Sequence, residues 1–249
     1  MIKKEKKFKW LEEGEEGETI ILLHGLMGGV ENFGEMVDFI SKNCKVYGLD
    51  LRLFEGINLN VSVKKLSDYL YSFMKHVGIK KAVLLGNSMG GHIALIFAKE
   101  HPEMVKGLIL TGSSGLFENS MGDSFPRRGD YDYIKRKTEE VFYNPEVATK
   151  ELVDRVFKLA NNRINLLKLL GYAKSAIRHN MAEDIPNFNM PSCLIWGKED
   201  KVTPPHVAKE FHKLLPNSEL NWIPLCGHAA MWEHPEAFAN IVLKWLKKN

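Results

Sequence analysis

The sequence lacks any apolar run long enough to cross a bilayer. No stretch approaches the roughly 18 apolar residues that a membrane-spanning helix needs. Lysines crowd the N-terminus, and the apolar segment of a secretory signal does not follow them. We therefore expect neither export nor membrane insertion.

Cysteine is scarce. Cys44, Cys193 and Cys226 lie far apart in the sequence, and no two of them form a C-x-x-C pair. This spacing argues against a disulfide framework and against a thiolate metal site, and it fits free thiols in a reducing compartment. We expect a cytoplasmic protein without a metal ion or an organic cofactor.

The chain also lacks a strong excess of one charge. Its 34 basic and 31 acidic residues leave a formal net charge of +3. The N-terminal lysines, Lys3 to Lys9, are followed at once by glutamates between Glu12 and Glu18. That pattern predicts a solvated hairpin rather than a nucleic-acid-binding patch.

What the chain does contain is 249 residues, 45% of them hydrophobic, enough for one large core. Short aliphatic runs alternate with amphipathic stretches such as 61–77 and 237–246. This alternation predicts an α/β fold with a mostly parallel central sheet and helices on both faces. The runs read as buried strands are 19–23, 45–49, 81–85, 105–110, 193–196 and 219–223.

The alternation stops between about 115 and 191, where 131–142, 145–161 and 165–178 have helical patterns and no strand is evident. We therefore expect a core of residues 1–115 and 187–249 and an inserted helical cap at 116–186. The proline- and glycine-containing segment 125–130 is a candidate connector.

A nucleophile motif follows the third of these strands. The sequence G-N-S-M-G-G at 86–91 leads from strand 81–85 directly into a helical stretch at 92–100. A G-x-S-x-G turn between strand and helix lifts its serine above the sheet, and side chains at Gly86 and Gly90 would collide with the neighbouring strand and helix. Ser88 is therefore the predicted nucleophile, although a glycine-rich loop with a capping serine is the structural alternative.

Acyl transfer also needs backbone N–H groups that bind a developing oxyanion. Met89 follows the nucleophile and is the first candidate donor. The sequence H-G-L-M-G-G at 24–29 follows strand 19–23, so its loop should emerge at the same edge of the sheet. We expect the second donor to be Leu26, with Met27 as a lesser candidate, and we give His24 a structural role.

The general base and the acid that orients it should lie in the turns that follow later strands. G-K-E-D-K-V-T-P at 197–204 follows strand 193–196, and L-C-G-H at 225–228 follows strand 219–223. Asp200 is the predicted acid, with Glu199 as its competitor one residue away, and His228 is the predicted base. The order Ser88, Asp200, His228 is the one that this arrangement of strands requires.

The motifs at 24–25, 86–91, 197–200 and 226–228, with W-E-H-P at 232–235, together resemble the α/β-hydrolase superfamily. The G-N-S-M-G-G turn at 86–91 (the elbow) and the C-G-H block most resemble the carbon-carbon bond hydrolases of meta-ring-fission products. The resemblance implies Asn87, Trp232 and a cap arginine, for which Arg163 is the candidate, as substrate contacts.

Three positions depart from that pattern. Those enzymes usually carry a tryptophan after the catalytic histidine, where this chain has Ala229, and a proline in the loop that here reads L-M-G-G at 26–29. At 50–56 the sequence D-L-R-L-F-E-G replaces the glycine-rich turn of many relatives.

Three functions compete. The first is hydrolysis of a small ester or thioester through an acyl-Ser88 intermediate. The second is carbon-carbon bond hydrolysis of a dienoate ketone acid, whose carboxylates cap arginines would bind. The third is a non-catalytic ligand receptor on the same fold. The candidate cations are Arg127, Arg128, Arg163 and Arg178.

Aromatic residues near the start of the cap indicate a partly apolar small-molecule substrate. We expect no nucleic-acid partner and no membrane partner, and a homodimer is the assembly we consider. The aromatic residues concerned are Phe117, Phe125, Tyr131, Tyr133, Phe142 and Tyr143.

Overall fold

The computed structural model describes residues 1–116 and 129–249 of the chain. Within these residues one sheet of eight strands has the order β1-β2-β4-β3-β5-β6-β7-β8. β1 and β2 form an antiparallel hairpin at one edge, and every pair from β4 to β8 is parallel. The strands are β1 Ile2–Glu5, β2 Phe8–Glu13, β3 Glu18–Leu23, β4 Cys44–Leu49, β5 Ala82–Asn87, β6 Val105–Thr111, β7 Ser192–Gly197 and β8 Ser218–Ile223.

Helices cover both faces of the sheet. One buried cluster joins the sheet to α2, α3 and α7, and the other joins it to α1, α8 and α9. The mostly parallel sheet with helices on both faces is therefore confirmed. The helices are α1 Gly34–Ile40, α2 Val63–Val77, α3 Met89–Glu100, α4 Tyr131–Glu139, α5 Lys150–Asn161, α6 Arg163–Arg178, α7 Pro205–Leu214, α8 Ala230–Glu233 and α9 Pro235–Leu246. Among the described residues, none of these helices combines the length and the apolar character that crossing a bilayer requires.

Two parts of the sheet, the edge strand β8 and the N-terminal hairpin, differ from the sequence prediction. β8 was expected to be buried, but most of it is half-exposed because it is the edge strand and pairs only with β7. The N-terminal hairpin exists, yet it is not merely solvated. Phe8 and Trp10 are buried, and both rings pack against Phe73 of α2. The lysine-rich side faces solvent while the alternate positions extend the core.

Between β6 and β7 the described residues 129–191 contain α4, α5, α6 and two short 3-10 turns, and no strand. We call residues 131–178 the helical insertion. Its own small core is Tyr133, Ile134, Val156 and Ala160. The helix expected at 145–161 is interrupted, because a 3-10 turn at Pro145–Val147 comes first and Thr149 then caps α5 through its side chain.

The unusual segment 50–56 proves to be a structural link. Arg52 has a φ of 50° and its guanidinium bonds Glu55 and the main-chain oxygen of Lys7. Leu53 is buried in the core. From α6, the Lys168 ammonium donates to the main-chain oxygens of Glu55, at 2.6 Å, and of Gly56. The segment therefore joins the hairpin, through the Arg52 side chain, to the helical insertion, through its own main-chain oxygens.

Candidate active site

The elbow is built around a strained serine. Ser88 stands between β5 and α3 with φ 55° and ψ −121°, a conformation that L-residues rarely adopt. A Cβ on Gly90 would come within 1.9 Å of the Leu23 oxygen, and one on Gly86 within 2.4 Å of the Gly91 nitrogen. Both glycines are therefore required by the close approach of β3, β5 and α3, as the motif predicts.

The glycine-rich loop after β3 lies directly against this serine. A Cβ on Gly25 would be 3.2 Å from the Cβ of Ser88. Leu26 and Met27 donate no backbone hydrogen bond to any described residue. Met89 is the first residue of α3, so its N–H has no partner inside the helix. Within the described residues, the N–H groups expected to bind an oxyanion therefore have no backbone acceptor.

His24 holds the shape of that loop. Its Nε2 accepts the Leu51 N–H at 3.1 Å, so the proton is on Nδ1, which donates to the Gly25 oxygen at 2.9 Å. Burial lowers the pKa of the His24 imidazole, which favours this neutral form. The geometry agrees with the structural role expected for His24.

The structure brings Asp200 and His228 into direct contact. His228 Nδ1 lies 2.9 Å from Asp200 Oδ2, and both side chains are buried. Asp200 Oδ1 accepts the backbone N–H groups of Val202 and Thr203, at 2.8 and 2.9 Å. The Thr203 hydroxyl donates to Asp200 Oδ2 at 2.8 Å. The carboxylate is therefore fixed from both sides and can orient the imidazole.

Glu199, the competing acid, has a different task. Its Oε2 accepts the Cys226 N–H at 3.0 Å, and its own N–H donates to the Cys226 oxygen at 3.0 Å. A Cβ on Gly197 would come within 2.1 Å of the Gly227 oxygen, so the two loops touch. Glu199 ties the turn that carries Asp200 to the loop after β8.

Asn87, Thr111 and Gly112 connect the elbow with the loop that carries His228. The Asn87 side-chain amide donates to the main-chain oxygens of Thr111 and His228, at 3.2 Å each. The Thr111 oxygen also accepts the Ser88 N–H at 3.0 Å. Gly112 has φ 51°, and a Cβ there would be 2.7 Å from His228 Nδ1. The His228 imidazole thus packs against Gly112, the residue after Thr111, whose main-chain oxygen accepts the Ser88 N–H.

The expected substrate contacts lie in different settings. Both donors of Asn87 are used within the protein, so only its Oδ1 remains for a ligand. Trp232 is half-buried and meets Phe142 edge to face at 5.4 Å. Arg163 is exposed at the first residue of α6, and no hydrogen bond or ion pair within the described residues joins it to Ser88, Asp200 or His228.

The other residues expected around the substrate also differ in exposure. Arg178 is exposed, Tyr133 and Phe142 are buried, Tyr131 is half-buried and Tyr143 is exposed. Phe117, Phe125, Arg127, Arg128 and most of the connector at 125–130 lie outside the described residues.

Sequence reasoning missed three residues around this site. Thr203 bonds the acid, Gly112 backs the base, and Glu233 accepts the Gly227 N–H at 2.7 Å, next to His228. Only Thr203 carried a usable local signal, because an aspartate in a turn often accepts the backbone N–H two residues on, here that of Val202, which brings the next side chain back toward the carboxylate.

Known proteins resemble this chain in sequence and in fold. A family model described as "alpha/beta hydrolase fold" matches residues 18–181 and 165–235. The chain is 29% identical over 260 residues to a 2-hydroxy-6-oxononadienedioate/2-hydroxy-6-oxononatrienedioate hydrolase of Pseudomonas sp, a match that covers 94% of this chain and 90% of that protein. A hydrolase of the same name from Comamonas testosteroni is 30% identical over 267 residues, covering 95% and 90%.

A solved structure is similar over the whole chain. MGS-MChE2, an alpha/beta hydrolase enzyme from the metagenome of sediments from the lagoon of Mar Chica, Morocco, is 43% identical with a TM-score of 0.82. The match covers 100% of this chain and 98% of that one.

Proposed function

Because the chain belongs to the alpha/beta hydrolase fold family and is a hydrolase, we propose that it cleaves small carboxylic esters or thioesters through an acyl-Ser88 intermediate. The observation that carries this proposal is the 2.9 Å contact between buried Asp200 and His228, whose main-chain oxygen in turn accepts the side-chain amide of Asn87, the residue before the strained Ser88. That arrangement supports Ser88 as a nucleophile, His228 as its base and Asp200 as the acid that orients the base.

In the first half-reaction His228 Nε2 takes the proton of Ser88 Oγ as that oxygen attacks the substrate carbonyl carbon. The carbonyl oxygen becomes an oxyanion, which the N–H groups of Leu26 and Met89 bind. The tetrahedral intermediate collapses when the bond to the leaving alcohol or thiol breaks and His228 gives that group its proton. The product of this step is acyl-Ser88.

The second half-reaction repeats these steps with water. His228 removes a proton from a water molecule that attacks the acyl carbon, and the second tetrahedral intermediate expels Ser88 Oγ, which takes the proton back. Asp200 holds Nδ1 protonated throughout, so Nε2 always faces the reacting atoms, and it stabilises the imidazolium that forms twice in each cycle.

We assign residues 116–186, of which 117–128 lie outside the described residues, as a cap that roofs this site, and residues 1–115 and 187–249 as the catalytic core. Contacts between the insertion and the catalytic loops support this division. Met27, in the glycine-rich loop, packs against the small core of the insertion, and His228 donates its N–H to the Val141 oxygen at 2.8 Å. A cap in this place would set substrate size and polarity.

Carbon-carbon bond hydrolysis of a dienoate ketone acid is the second candidate. The similarity in sequence to two hydrolases of 2-hydroxy-6-oxononadienedioate, over nearly the whole chain, favours it. Two features favour the ester reaction: Ala229 replaces the tryptophan found in the family that the motif resembles, and Arg163 is exposed. A dianionic substrate needs a cation beside the site, and an ester does not.

Parallel kinetic assays decide between the two. Purified wild type, Ser88→Ala and His228→Ala would be assayed on p-nitrophenyl acetate and butyrate and on a 2-hydroxy-6-oxo-dienoate. The ester proposal predicts a higher kcat/KM for the esters, lost in both variants. A kcat/KM for the dienoate that exceeds the ester values, with the same dependence on Ser88, establishes the second candidate.

The setting of the enzyme completes the proposal. Cys44, Cys193 and Cys226 are all free and buried, which supports a cytoplasmic location, where thiols stay reduced. The substrate is a partly apolar small molecule. Light scattering after size-exclusion chromatography tests the homodimer considered from the sequence. A mass near 57 kDa, about twice the 28.4 kDa of the chain, would establish the dimer. A mass near that of the single chain would exclude it.

A further inference from the structure

The structure contains a carboxylate that touches the catalytic-base loop on one side and the helical insertion on the other. Oε1 of Glu233 accepts the Gly227 N–H at 2.7 Å. Oε2 accepts the N–H groups of Tyr143 and Asn144, at 2.7 and 3.3 Å. We propose that Glu233 is a positioning residue that couples the helical insertion to the loop carrying His228.

Further contacts reinforce the same junction. The His228 N–H donates to the Val141 oxygen at 2.8 Å, and a Cβ on Gly227 would come within 2.6 Å of that oxygen. The rings of Phe142 and Trp232 meet edge to face at 5.4 Å. Residues 141–144 therefore lie directly on the loop that ends in the base, and Glu233 is the side chain that bonds both.

The chemistry of the junction calls for a carboxylate. Three backbone N–H groups converge on Glu233, and an ionised carboxylate offers two acceptor oxygens and no donor. A glutamine has one acceptor oxygen, and its NH2 would face an N–H on one of the two sides. Glutamine can therefore hold either the His228 loop or the insertion, but not both.

The functional consequence rests on the proposed role of His228 as general base. Because Gly227 and His228 are adjacent, a displacement of residues 141–144 is transmitted through Glu233 to the imidazole. Substrates that seat the insertion correctly then have a correctly placed base, and Glu233 makes the proton-transfer geometry depend on the insertion.

Glu233→Gln tests the proposal, with Glu236→Gln as the matched control. Glu236 is exposed on the first turn of α9 and its change removes the same charge. With kcat normalised to the sites labelled by a fluorophosphonate, E233Q should lower kcat roughly tenfold to a hundredfold with KM within about twofold, the penalty of a misplaced catalytic group. E236Q should match wild type. An E233Q kcat within twofold of wild type overturns the proposal.

Amide hydrogen exchange by mass spectrometry tests the coupling itself. E233Q should accelerate exchange in peptides covering both 141–144 and 226–228, and E236Q in neither. Faster exchange on one side alone contradicts a coupling role. If E233Q does not fold, Glu233→Asp serves instead, because its shorter side chain keeps the charge but cannot reach both partners.

The outcome is separable from that of the proposed function. If His228→Ala is inactive while E233Q has normal kcat and exchange, the coupling is wrong and the base assignment stands. If His228→Ala retains full activity, the base assignment fails whatever E233Q does.

Discussion

The side-chain amide of Asn87 donates to the main-chain oxygen of His228 at 3.2 Å, although the two residues are 141 positions apart. The same amide donates to the Thr111 oxygen, which also accepts the Ser88 N–H. The Asn87 side chain thus ties together three segments: β5, which ends just before Ser88, the neighbouring strand β6 and the loop that carries His228. This explains an asparagine at this position without a substrate contact.

Asn87→Ala should therefore lower kcat and leave KM nearly unchanged. The loss of two hydrogen bonds lets the base loop shift against Ser88, and we expect kcat to fall roughly tenfold or more. Steady-state ester kinetics measure both constants, and Asn240→Ala, an exposed change on α9, is the control. A KM that rises tenfold with kcat preserved would identify Asn87 as a substrate contact instead.

Gly112→Ala should damage activity beyond its cost in stability. A Cβ at Gly112 would be 2.7 Å from His228 Nδ1, and the backbone there has φ 51°. Gly78 also has a positive φ, 76°, but a Cβ there meets nothing within 4 Å. Both variants should lose about 1–2 kcal/mol of unfolding free energy from left-handed strain, measured by urea denaturation.

Only Gly112→Ala should also displace the imidazole, and we expect its kcat/KM to fall at least about tenfold. Gly78→Ala should keep wild-type kcat/KM. Equal activity of the two variants would mean that Gly112 does not fix the position of His228.

Thr203→Val should weaken catalysis through Asp200. The Thr203 hydroxyl donates to Asp200 Oδ2 at 2.8 Å and lies 3.2 Å from His228 Nδ1, and valine has the same shape without the donor. A hydrogen bond to a charged group is worth about 1.5 kcal/mol or more, so kcat should fall about tenfold with KM unchanged. Thr203→Ser restores the donor and should recover most of kcat. Failure of serine to rescue would indicate that packing, not the hydroxyl, matters.

Much of this architecture could be read from the sequence because its causes are local. The glycines at 86 and 90 are required by backbone contacts of under 2.5 Å, and those contacts follow from a strand turning at once into a helix. The contact between Asp200 and His228 could be expected because the carboxyl ends of parallel strands lie at one edge of the sheet.

The rest depends on contacts between distant segments. Nothing near Glu233 in the sequence shows that Tyr143 will lie beside it, and nothing near Arg52 shows that Lys168 will reach the same turn from α6. The edge position of β8 depends likewise on the order of strands in the sheet. Such features depend on the assembled fold and not on the local sequence.

Stability should fall in mild acid because of His92. Its imidazole is fully buried, Nε2 bonds the His179 oxygen at 2.8 Å, and burial lowers its pKa to about 4. Between pH 4 and 6.5 the unfolded chain binds a proton at this side chain that the folded chain does not. The free energy of unfolding therefore falls as pH drops through this window, by on the order of 3 kcal/mol.

Urea denaturation of wild type and His92→Gln at pH 7, 5.5 and 4.5 measures this contribution. Glutamine can still donate to the His179 oxygen but does not titrate, so the variant should lose less stability on acidification. Some dependence should remain, because burial lowers the pKa of His24 as well. Identical slopes for the two proteins would rule out His92 as a source of the effect.

The central claim is that Ser88 is a nucleophile activated by His228. The most direct measurement is the intact mass of wild type, Ser88→Ala and His228→Ala after incubation with a fluorophosphonate. We predict one adduct on wild type, none on Ser88→Ala, and labelling of His228→Ala slowed by at least about a hundredfold. Labelling of Ser88→Ala at the wild-type rate would contradict the account and move the non-catalytic receptor ahead of the other candidate functions.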